Sequence, residues 1–121
     1  AAVLEALAAG GQWARVVELA AWCAGVDPFD VPVCLSRRRA QEALGDHAGL
    51  IDTLDRLTVL DPGQAEVYRV ARARSLCALD RTAEARHQLL TLLEVFPEYR
   101  EAQQLLLELH EAGEGRGHED S

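Results

Sequence analysis

The sequence predicts an all-α chain of repeated helix pairs, an α-solenoid, and three observations carry that prediction. Prolines recur at near-constant intervals: Pro28 and Pro62 are 34 residues apart, and Pro97 follows 35 further on. Counting back from each proline, apolar residues fall at matching positions, spaced as one face of an α-helix. Hydrophobic residues make up 49% of the 121 positions while aromatics make up only 5%, and a chain rich in Ala, Leu and Val but poor in aromatics favours helix over strand.

The matching positions define the second helix of each pair. Val16, Leu50 and Ala85 coincide, then Ala20, Leu54 and Leu89, then Cys23, Leu57 and Leu92, then Val26, Leu60 and Val95. Their spacing of i, i+4, i+7 and i+10 predicts amphipathic helices over Ala14 to Gly25, Ala48 to Leu60 and Thr82 to Val95. A polar turn precedes each one, at Gly10-Gly11-Gln12, Gly45-Asp46 and Asp80-Arg81. Glycine in the first two allows the positive φ of a helix C-cap.

The first helix of each pair lies ahead of that turn, over Ala1 to Ala9, Val33 to Leu44 and Glu66 to Leu79. Asp30 is placed to N-cap the second of these, with Pro32 in a first turn that has no use for its missing N–H. A last helix, Glu98 to Ala112, has no partner after it, and we expect it to cap the final repeat by covering apolar surface. The repeat units are therefore 1–30, 31–64 and 65–97, with a capping helix over 98–112 and a glycine-rich, charged tail over 113–121 expected to be disordered.

Composition bounds function. Twenty acidic against 12 basic residues give a net charge of -8, which disfavours direct nucleic-acid contact because phosphates need a basic face. No stretch is long and apolar enough to span a membrane. No secretory leader is visible, and the absence of Met reads as a processed or excised piece. All 12 basic residues are Arg, which reads as coding bias in a GC-rich bacterium. Three well-separated cysteines, Cys23, Cys34 and Cys77, do not form a disulfide framework and point to a reducing cytoplasm.

Residues for catalysis or metal binding do not cluster. The four histidines stand apart, Cys23 and Cys34 fall on different elements, and no phosphate loop, nucleophile elbow or paired-carboxylate motif occurs. The expectation is a protein that is not an enzyme, with no metal, cofactor or catalytic residue. Trp13 falls at the turn and is expected to be structural. Trp22 lies nine residues later on another side of the same helix, a contact candidate or a residue half-covered by a neighbour.

With its 34-residue unit, small residues at the helix turn in Gly11-Gln12 and Gly45-Asp46, the small Ala85, and Asp-Pro closing a unit at Asp27-Pro28 and Asp61-Pro62, the chain resembles the tetratricopeptide repeat family. The resemblance implies a right-handed solenoid of about three such helix pairs plus the capping helix, whose first helices line a concave groove for a peptide or protein segment. On the family's register the groove falls on Leu35, Arg39, Glu42, Val67, Val70 and Arg74. A one-residue excess in the third unit leaves its register open, and the other placement turns Arg69 inward instead. The positions of the family's chaperone-tail carboxylate clamp fall on Ala1, Glu5, Ser36, Val67 and Ala71, which lack the clamp's Lys, Asn and Arg.

Half of the arginines, Arg37, Arg38, Arg39, Arg69, Arg72 and Arg74, sit on two first helices. They either pair with neighbouring carboxylates or form a site for an acidic peptide, since guanidinium groups bind carboxylates in bidentate fashion. The chain is thus read as a scaffold or adaptor with a protein or peptide partner of acidic character. A narrower resemblance, over Asp27 to Leu57, is to the helical-repeat domain of bacterial transcriptional activators. That would make it a regulatory module, and a third reading is a self-associating homo-oligomer.

Overall fold

Seven α-helices and one short 3-10 turn make up the described part of the chain. They are α1 (Ala2–Ala9), α2 (Trp13–Val26), α3 (Val31–Leu44), α4 (His47–Leu60), α5 (Ala65–Ala78), α6 (Thr82–Val95) and α7 (Arg100–Glu119), with the 3-10 turn Pro62–Gln64 leading into α5. The structure, a computed structural model, describes the backbone of residues 2–27 and 29–119 and their side chains except those of Ala2 and 113–119. No strand occurs among the described residues, so the all-α class is as the sequence predicts.

The chain forms two compact units, Ala1–Tyr68 and Arg69–Ser121. In the first, α1 packs against both α2 and α3, α2 against α3, and α3 against α4. Leu4, Ala8, Val16, Ala20, Val33 and Ala40 form one buried cluster, with Trp13, Val17, Leu19 and Cys23 half-buried against it. Small side chains at Ala8, Ala20 and Ala40 let neighbouring helices approach closely, since interiors are packed at near-crystalline density. Leu50, Leu54 and Leu57 bury the inner face of α4.

Local chemistry sets the boundaries. The Asp30 carboxylate accepts a hydrogen bond from the Val33 N–H at 3.2 Å and caps α3. Asp46 does the same for α4, accepting from the Gly49 N–H at 3.0 Å. Between them Gly45 closes α3 at φ 70°, and Gly11 stands at φ 72° in the preceding turn. The third turn has no glycine, and Asp80 takes the left-handed conformation there, with φ 60°.

In the second unit α6 packs against α7, and Ala85, Leu89 and Leu92 are fully buried, as are Ala73, Leu76 and Ala102. Three of the four matched positions on the second helices are thus core positions, with Cys23 half-buried. The fourth behaves differently: Val26 and Val95 are exposed and Leu60 is half-buried. Each is the last residue of its helix, one turn beyond the buried face. The backbone of α7 remains helical through 113–119, which the sequence placed in the tail, while Asp120 and Ser121 lie outside the described residues, as does Pro28.

Candidate functional site

Three successive arginines on a helix point in three directions about 100° apart, so Arg37, Arg38 and Arg39 cannot act as one patch. Arg38 is committed within the fold. Its Nε donates to Glu42 Oε1 at 2.7 Å, and its guanidinium lies over the Tyr68 ring, 5.6 Å from the centroid. Tyr68 is itself pinned, with its hydroxyl donating to Asp61 Oδ2 at 2.6 Å. Arg37 is half-buried, and its Nε has no hydrogen-bond partner among the described residues.

Arg39 is exposed, and its guanidinium lies over the indole of Trp13 at 5.5 Å from the ring centroid. Stacking of this kind orients the planar cation while leaving the edge of its N–H fork open to solvent. Glu42 lies three residues along the same helix and could neutralise Arg39, but its carboxylate is already engaged by Arg38. Leu35, one turn before Arg39, is 41% exposed. Leu35, Arg39 and Glu42 thus share one accessible face of α3.

Trp13 also borders a cavity. Together with Gln12, Arg15 and Leu44 it lines a surface cavity of about 390 Å³. Leu44 is half-exposed and Arg15 exposed, so the cavity joins apolar surface of Trp13 and Leu44 to one basic side chain. By sequence Trp13 reads as structural alone. The signal was present in the position of an aromatic at the first residue of α2, where a side chain reaches over the turn toward α3.

The α5 residues divide. Val67 is half-buried and Arg74 exposed, but Val70 is 2% exposed and cannot line a groove. Contrary to the sequence expectation, Val70 is a core residue: it stands three residues before Ala73, on the buried stripe of α5, and its apolar side chain contributes to packing. Arg69 and Arg72 are half-buried on a different face of α5 from Arg74.

The cysteines are free thiols. Burial pushes Cys34 above its ordinary pKa, against the opposing charges of Arg56 and Arg37. Burial also raises Cys77, with Arg74 opposing it. Both therefore favour the protonated, unreactive form at neutral pH. No group of three potential metal ligands occurs among the described residues. No helix of the described chain is long and apolar enough to cross a membrane. Trp22 is 67% exposed, one helical turn before the exposed Val26.

No protein-family model matches the chain, and no curated protein matches it.

Proposed function

We propose that this protein is an interaction module of tetratricopeptide-like helix pairs that holds an acidic, partly apolar segment of another protein. The packing of α1 against both its own partner α2 and the next first helix α3 supports the repeat reading, because stacked helix pairs make both contacts. The observation that carries the binding function is the stack of Arg39 on Trp13. It presents an exposed, pre-oriented guanidinium in a chain of net charge -8, on a ring that also lines a cavity with Leu44, and with the carboxylate of Glu42 already engaged by Arg38. Pre-orientation lowers the ordering cost of recognising a carboxylate.

The same geometry supports a reading of the ligand. A Glu or Asp side chain meets the Arg39 fork, and a neighbouring leucine or aromatic settles against Trp13 and Leu44. Binding of a labelled peptide of alternating Glu and Leu, followed by fluorescence anisotropy, tests this. Arg39→Glu abolishes binding while the far-ultraviolet circular dichroism stays that of the parent, and Arg39→Lys weakens it because a point charge replaces the fork. Undiminished binding by Arg39→Glu overturns the assignment.

A further inference from the structure

The second unit contains a cavity of about 610 Å³ on the side of α5 away from Arg74, walled by α5 and α6 and lined among others by Arg69, Arg72, Glu84, His87, Gln88 and Leu92. That volume lies within the range of sites that hold a peptide side chain together with its neighbour. Its apolar surface comes from Ala83 and the methyl of Thr91, both exposed, beside the fully buried Leu92.

The polar wall is rich in donors. Arg72 Nη1 donates to Gln88 Oε1 at 3.2 Å, so the Gln88 side-chain oxygen faces Arg72 and its amide N–H groups are the end left for a ligand. Arg69 and Arg72 bring two guanidinium groups. The one carboxylate in the wall, Glu84, is gripped by Arg81 through two hydrogen bonds, 3.0 Å from Nε and 2.6 Å from Nη2. That fork holds its carboxyl below the usual carboxylate range, with the charges of Arg81 and Arg72 adding to it. A wall in which the only acid is neutralised by a neighbour carries net positive charge and faces an otherwise acidic chain.

We infer that the α5–α6 cavity is a second recognition site, independent of the Trp13–Arg39 surface, which takes an acidic side chain of a partner peptide together with an adjacent apolar residue. The carboxylate meets Arg69 and the Gln88 amide, while the apolar neighbour rests on Ala83 and the Thr91 methyl. Arg72 acts as a positioning residue that fixes Gln88.

The test is a titration of the full isotope-labelled chain with the peptide of alternating Glu and Leu, followed through backbone amide shifts. Amides of residues 69, 72, 84 and 88 move on binding. Arg69→Glu weakens those shifts about tenfold or more in midpoint, whereas Arg39→Glu leaves them in place. Three results overturn the inference. One is equal shifts with the Gln and Leu isostere of the peptide, which removes the role of charge. Another is equal shifts with free glutamate, which makes the cavity an adventitious anion site only. The third is an absence of shifts at these amides, and if residues 13 and 39 still respond, the reading of the first unit survives while this one fails.

Discussion

The guanidinium of Arg39 lies over the Trp13 ring at 5.5 Å, which couples the first residue of α2 to the middle of α3. Exposed cation–π pairs contribute about 0.5–1 kcal/mol. A double-mutant cycle with Trp13→Leu and Arg39→Gln, read by urea denaturation, should return a coupling of that size. Trp13→Leu alone should also weaken the alternating Glu and Leu peptide by more than its cost in stability explains, since the fork is then no longer oriented. A coupling near zero shows that the two side chains act separately.

Gly11, Gly45 and Asp80 occupy equivalent turns, and all three have positive φ. Only glycine adopts that conformation without steric cost, although Asp tolerates it better than most. Gly45→Ala is therefore expected to destabilise the chain by about 1 kcal/mol, because a Cβ at φ 70° is strained even where open space surrounds it. Asp80→Gly is expected to change stability the other way, by about 0.5 kcal/mol. Urea midpoints of the two variants check the signs, and destabilisation by Asp80→Gly contradicts the shared geometry.

These turns also show how far the sequence could be read. The 34-residue spacing and the buried columns at Val16, Leu50 and Ala85 located all second helices to within about a residue, because burial of one helix face imposes a strict period. The site was less legible. Placing Val70 in a groove followed the family's register, and only packing shows that the stripe of α5 through Val70 and Ala73 is buried. Pairings such as Arg38 with Glu42 are i, i+4 and readable in principle. Arg39 with Trp13 links two helices, and only packing decides it.

Gly49 lies inside α4, where replacement by Ala would on helix propensity alone gain about 1 kcal/mol. Space reverses that sign. A Cβ there would meet Gln41 Nε2 at 2.7 Å and Asp46 Cγ at 2.9 Å, and both side chains are pinned. Asp46 caps the helix, and Gln41, only 1% exposed, accepts a hydrogen bond from the Thr53 hydroxyl at 2.7 Å. Gly49→Ala should cost about 1–2 kcal/mol net. Gly25→Ala, with nothing within 4 Å, serves as the control and should be neutral or stabilising. If both variants gain stability, the close approach at Gly49 is wrong.

The Gln41–Thr53 bond makes a related prediction. Thr53→Val leaves the Gln41 carbonyl oxygen buried without its donor, at a cost of about 1–3 kcal/mol. Changing both, Gln41→Leu with Thr53→Val, removes donor and acceptor together and should restore most of the loss. Equal losses in the single and double variants would mean that the pair contributes through packing alone.

Tyr68 is pushed up to about 12, first by burial and then by donating its proton to the Asp61 carboxylate, whose charge adds to the effect while Arg38 opposes it. A phenol with a raised pKa in the folded state holds its proton more tightly there than in the unfolded chain. Its contribution to stability is thus complete below the ordinary value near 10 and is lost as pH rises through the folded value. Full-chain urea midpoints should fall between about pH 10 and about pH 12, and Tyr68→Phe should remove part of that fall. Tyrosinate absorbance gives a direct reading, since the late ionisation must vanish in Tyr68→Phe and move to lower pH in Asp61→Asn, where the accepting charge is gone. A late ionisation that stays in place in Asp61→Asn would show that the Tyr68 hydroxyl is not bound to Asp61 in solution.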